Sequence, residues 1–170
     1  MHLRVALYFV ALIAASPLAS AQDAKPPLVA RDRVRLNLAG AETALDAAKA
    51  KAAALGLKSN IAVVDDGGHL LAFARMDGGR PASASTAISK AVSAATFRQE
   101  SVKGEPDALL SLGLQNASGG KVTPLKGGIP IVVDGQVVGA IGAGGGTGEQ
   151  DAEVSRAGVQ ALIDALTGSK

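Results

Sequence analysis

Seven polar side chains at predicted loops and element ends could do chemistry in this chain: His69, Arg75, Asp77, Lys90, Arg98, Glu149 and Asp151. A neutral imidazole is a standard ligand to iron, which singles out His69. Arg75, Lys90 and Arg98 could make charge-assisted bonds to carboxylates. Each also has a plainer reading. His69 begins a returning strand, Arg75 can snorkel from one, and Asp77 forms a turn before Gly78. Lys90 falls off the apolar stripe of its helix, which predicts a solvated face. Glu149 and Asp151 sit in a helix's first turn, where the macrodipole favours negative charge.

Counting residue types removes several classes of enzyme. There is no cysteine, and only His2 and His69 supply imidazoles, too few for a zinc site built on nitrogen and sulfur. No G-x-S-x-G elbow presents a serine to His69. The glycine run from Gly142 puts Thr147 where a dinucleotide fingerprint needs its third glycine, and no βαβ unit follows. Glu149 and Asp151 also occupy the place where a phosphate would dock on that helix. The net charge of +2 and the scarcity of aromatic residues, 2% of the chain, give no support to nucleic-acid binding.

The elements that must position these residues are legible from periodicity. Ala41, Leu45, Ala48, Ala52 and Leu55 recur at helical spacing over 38–55, and Gly56 stops the helix. Ile61–Val64, the turn Asp65-Asp66-Gly67-Gly68 and the strand from His69 to Arg75 read as a hairpin. Leu70, Ala72 and Ala74 share one face of that strand and Leu71 and Phe73 the other, which predicts a sheet covered on both sides. A helix over about 83–97 is expected to bury Ile88, Ala91, Val92 and Ala95. A short helical turn over 106–112 ends at Gly113, and an irregular, strand-like region covers 116–128. Ile129–Val133 and Gln136–Ala143 form a second hairpin through Asp134-Gly135. Thr147 and Gln150 are spaced as a capping box for a final helix with Val154, Ala157, Gly158, Ala161, Leu162 and Ala165 on one stripe. One of Gly144, Gly145 and Gly146 is expected at positive φ. Hairpins with helices on both faces imply an α/β/α sandwich around a mainly antiparallel sheet.

The N-terminus reads as an export signal. Arg4 is followed by the apolar run Val5–Ala15, eleven residues long, and by Ala19-Ser20-Ala21, a small-residue cleavage site. The run is too short to span a bilayer. The expected organisation is a signal peptide over 1–21, a flexible leader over 22–35 and a single domain over 36–168. The expected location is periplasmic or secreted, with no stable membrane insertion after signal removal. The mature chain of 149 residues would carry His69 alone, Phe73 and Phe97 as its aromatics, Met76 as its methionine, and no disulfide.

Asn60–Leu70, Ala74–Gly78, Ser89-Lys90-Ala91, Gly127–Pro130 and Gly139–Gly142 through Gln150-Asp151 together resemble the GlcG/HbpS-like family. This is also called the haem-degrading domain family, and it includes the C-terminal domain of PduO-type proteins. The match runs in order over about 36–166. One departure is Ala143-Gly144-Gly145, where members often carry a valine-serine-glycine-like sequence. The resemblance implies a profilin-like fold and dimers assembled into larger rings. It implies binding of haem or a corrinoid, with slow haem degradation in some members. Haem is therefore the expected cofactor, with His69, Arg75, Asp77, Lys90 and Glu149 as its candidate site. Iron would be ligated by His69 or by an oxygen donor. A turn-edge histidine is poorly placed for a deeply buried macrocycle, which favours oxygen.

Two other readings stand beside it. One is an enzyme acting on a small metabolite, with Asp77, Lys90, Glu149 and Asp151 converging in a cleft. The other is a structural partner of an envelope protein. Ala157, Gly158 and Ala161 permit close approach of helices, and a homo-oligomer built on dimers is expected.

Overall fold

The computed structural model describes residues 28–29, 32–101 and 107–168. The expected signal peptide, its cleavage site, most of the leader and Pro106 lie outside them. Helix α1 (Leu38–Ala54) starts where the Asn37 side chain accepts from the Gly40 N–H, and it buries Ala41, Ala44, Leu45, Ala48 and Ala52. Strands β1 (Asn60–Asp65) and β2 (Leu70–Arg75) form the first hairpin. Helix α2 (Ala82–Phe97) follows, then α3 (Ala108–Ala117), capped by Asp107. Strands β3 (Gly128–Val133) and β4 (Gln136–Gly144) form the second hairpin. Helix α4 (Gly148–Thr167) begins with the complete Thr147–Gln150 capping box.

The strands form one antiparallel sheet in the order β2-β1-β4-β3. Alternation along β1 divides the core in two. Ile61 and Val63 face α1 and α4, with Ile129, Ile131 and Ile141 beside them. Ala62 and Val64 face α2, together with Ala140. This is the expected α/β/α sandwich. Each fully buried isoleucine or valine here contributes about 1.5–3 kcal/mol. Val34, near the end of the expected leader, packs on the first core together with Leu36, the first residue of the expected domain, and Arg33 pairs with Asp66.

Glycine sets the spacing of the layers. A Cβ on Gly142 would lie 2.4 Å from the Ala87 carbonyl oxygen, and one on Gly128 would lie 2.0 Å from that of Lys90. So α2 lies backbone-to-backbone on β4 and β3.

Several expectations change. The sheet is not covered throughout, because α2 does not reach across β2. An irregularity in the pairing between Val63 and Val64 puts Leu70 opposite Val64 and on the same face as Phe73, rather than with Ala72 and Ala74 as expected, and the two are 49% and 37% exposed. Helix α3 runs through Gly113, and no strand forms between it and β3 among the described residues. Ile88 is only half-buried and Ala165 is exposed. Gly158 is spent inside the chain: its Cβ would meet the Ala44 carbonyl oxygen at 2.5 Å, so its smallness serves the α1–α4 contact.

Candidate functional site

The largest correction concerns Lys90. It is buried, at 4% exposure, rather than solvated. The buried stripe of α2 runs Ser83, Ala87, Lys90, Ala91, Ala94, and Lys90 occupies a core position within it. Its ammonium donates to Asp151 Oδ2 at 2.7 Å and to the Ala143 carbonyl at 3.0 Å. Asp151, 2% exposed, also accepts from the Gly146 N–H through Oδ1 at 2.9 Å. A buried charge persists only when paired and hydrogen-bonded, and each of these two supplies the other's requirement. The pair ties α2, the end of β4 and the first turn of α4 together. Gly127, at φ 130°, makes room for it, since a Cβ there would lie 3.0 Å from Lys90 Nζ. The Gly127 carbonyl is held by Ser155 Oγ at 2.7 Å.

The glycine corner is built as expected. Gly145 has φ 144°, and a Cβ on it would meet the Lys58 carbonyl at 3.0 Å. Corner, pair and the start of α2 enclose a cavity of about 360 Å³, with Arg80, Ser83, Lys90, Lys126 and Asp151 in its wall. Of the four residues expected to converge in a cleft, Lys90 and Asp151 do so. Asp77 is exposed in the turn after β2 and is not in this wall. Glu149 is exposed and pairs with Lys126. That hydrogen bond and the charge of Lys126 hold the Glu149 carboxyl below its ordinary value.

A second, larger cleft of about 760 Å³ opens on the other side of α2. Its wall combines Ile88, Val92 and Phe97 of α2, Leu114 of α3, Val122 of the following loop, and the β1–β2 turn. Ser93 fastens that loop to α2 by accepting from the Thr123 N–H at 2.8 Å. His69 stands at the cleft's open rim, with its side chain 82% exposed. Its Nδ1 lies 3.2 Å from Asp65 Oδ1, and Nε2 has no protein partner among the described residues. Asp65 organises the turn. Burial pushes its carboxyl up, but the His69 and Gly67 backbone N–H groups and the His69 ring outweigh that and hold it below its ordinary value. Lys121 is the cation in the wall.

The remaining candidates lie apart. Arg75 is exposed at the end of β2, opposite Asn60, and walls neither cavity. Arg98 caps α2 in the left-handed conformation (φ 57°) and is exposed. Arg80, Ser83 and Lys121 did not emerge from the sequence. Only Ser83 carried a signal there, lying seven residues before Lys90 on the same helical stripe. No group of three or more His, Cys, Asp or Glu among the described residues is placed to hold a metal ion. No helix among them is long and apolar enough to cross a membrane.

Fold and clefts thus define a small α/β/α domain with two separate cavities flanking one helix. Residues 36–160 match the family model described as haem-degrading protein HbpS-like, and the chain belongs to that family. The GlcG protein of Escherichia coli K12 is 45% identical over 83 residues, which is 49% of this chain and 61% of GlcG. The chain thus spans about three fifths of the length of that relative. Among solved structures, a double mutant of Streptomyces reticuli HbpS superposes with TM-score 0.64 at 31% identity, covering 82% of this chain and 98% of that one. A PduOC–haem complex superposes with TM-score 0.67 at 26% identity, covering 75% and 95%.

Proposed function

We propose that this protein binds haem in the cleft between α2 and α3, as an exported protein that buffers, senses or degrades the tetrapyrrole. One observation carries the reading. The larger of the two clefts described is walled by Ile88, Val92, Phe97, Leu114 and Val122, and His69 stands at its rim with Nδ1 beside a carboxylate. A carboxylate that orients one imidazole nitrogen is the usual support for metal ligation by the other. The volume of about 760 Å³ lies within the range of about 300–1,000 Å³ for ligand pockets. The residues present therefore fit the group. His69 Nε2 would face the iron, the apolar wall would take the macrocycle, and Lys121 would meet a propionate. Bound haem would supply a redox-active iron; the protein's part is to orient it and shield one face from water.

The family and the PduOC–haem crystals support the same ligand. Export rests on the signal-like segment over 1–21. A homo-oligomer is supported by α3, none of whose residues is buried, and by Leu70 and Phe73 on β2. Titration of the purified mature protein with haemin tests the central reading. A saturable, shifted Soret band is expected. Its absence would reject haem as the ligand.

A further inference from the structure

The smaller cavity, on the far side of α2, shares no wall residue with the haem cleft. Its polar groups are not all satisfied by the protein. Ser83 is 9% exposed and in the wall, yet its hydroxyl makes no hydrogen bond among the described residues. Ser83 lines the cavity, and its hydroxyl is free to donate to a molecule held there. Lys90 has three N–H donors and uses two, on Asp151 and the Ala143 carbonyl. Arg80 reaches only the Gly145 carbonyl, at a long 3.5 Å. Its own carbonyl is held by Asn60 Nδ2 at 3.0 Å, which fixes the loop beside the wall.

The charges decide the class of ligand. Asp151 is matched by Lys90, and Lys126 by Glu149, so Arg80 is the wall's uncompensated charge. The start of α2 adds no acidic residue in its first turn, and no side chain caps it. A single negative charge is therefore complementary, whereas a cation or a dianion is not. A volume of about 360 Å³ sits at the low end for ligand pockets, which selects a small molecule.

We propose that this cavity binds a small organic monocarboxylate, its carboxylate between the Arg80 guanidinium and the Ser83 hydroxyl and its body toward Lys90 and the glycine corner. A planar guanidinium matches a carboxylate with two parallel bonds, and the free hydroxyl donates a third.

Isotope-labelled protein titrated with lactate tests this. Saturable shifts are expected at Ser83 and Gly144–Gly146 and not at Gly67–Leu70, with the same affinity whether or not haemin is present. Arg80→Gln should weaken binding about tenfold or more, and Ser83→Ala by a smaller factor, with both variants keeping the wild-type melting temperature and haemin titration. Lys90 is left intact because its loss threatens the fold. No saturable shift with lactate, acetate or pyruvate up to about 50 mM would overturn the site. Inorganic phosphate binding as tightly as lactate would overturn the carboxylate assignment. Unchanged affinity in Arg80→Gln would overturn the role of the guanidinium. None of these outcomes bears on haem binding, which is read from the Soret band.

Discussion

Replacing Lys90 by Met removes one charge and keeps most of the side chain's length. The Asp151 carboxylate then stays 2% exposed with one remaining donor, the Gly146 N–H. The Ala143 carbonyl also loses its ammonium donor. Breaking a buried ion pair by removing one partner costs about 3–5 kcal/mol. A domain of this size has about 5–15 kcal/mol in all, so the variant should be folded but fragile. At about 2–4 °C per kcal/mol, its melting temperature should fall by roughly 6–20 °C. The double variant Lys90→Met/Asp151→Leu separates the pair from the charge left behind. Two apolar side chains of similar volume replace a buried pair with little loss, so most of the deficit should return. About 1 kcal/mol should stay lost for each unsatisfied group, the Ala143 carbonyl and the Gly146 N–H. Urea unfolding of wild type, single and double variants gives these differences directly. A single-variant cost below about 1 kcal/mol would refute the claim that the pair is buried and mutually required. A double variant less stable than the single would show that the pair stabilises for its own sake.

Three further outcomes are expected. His69→Ala should change the Soret spectrum of the haemin complex and weaken binding about tenfold or more, whereas an oxygen-ligated haem would ignore the change. The lowered Asp65 carboxyl contributes stability that is present above its ordinary value near 3.8 and is lost as pH falls through the lower folded value. Wild type should therefore exceed Asp65→Asn in urea unfolding at pH 6, with the gap closing in acid; a gap constant down to pH 3 would contradict this. Gly145→Val forces a β-branched residue to φ 144° and toward the Lys58 carbonyl, which should cost about 1–3 kcal/mol; an unchanged melting temperature would mean the corner is not rigid.

Local signals carried most of the architecture. The capping box, the Asp-Gly turns and the apolar runs of β1 and β4 each depend on neighbours within a few residues, and α1, α2 and the four strands formed within a residue or two of their expected bounds. What was not legible depended on partners distant in the chain. Lys90 read as solvated because its partner, Asp151, lies 61 residues away, and an apolar periodicity count assigns no core position to a charge. Gly128 and Gly142 read as loop and strand glycines and Gly158 as a small residue for contact between subunits, though within the chain they set how closely helices lie on the sheet and on each other. Gly113 read as a stop, but α3 is unpacked on most of its surface and its neighbours there leave open space, so nothing ends the helix before Ser118.

The two cavities follow from how α2 sits on the sheet. Because Gly142 and Gly128 let the helix rest directly on β4 and β3, its flanks rather than its outer surface become walls. One flank presents Ile88 and Val92, the other Ser83, Thr86 and Lys90. Helical geometry places these sets on different sides of a single cylinder, so apolar and polar ligand chemistry can occupy one element without sharing a residue. A change confined to Ser83 or Arg80 should therefore leave haemin binding untouched, and a change at His69 should leave carboxylate binding untouched. Strong coupling between the two titrations would require α2 itself to move. The buried Lys90–Asp151 pair opposes that motion, because sliding the helix would separate two charges that have no other buried partner of opposite sign among the described residues.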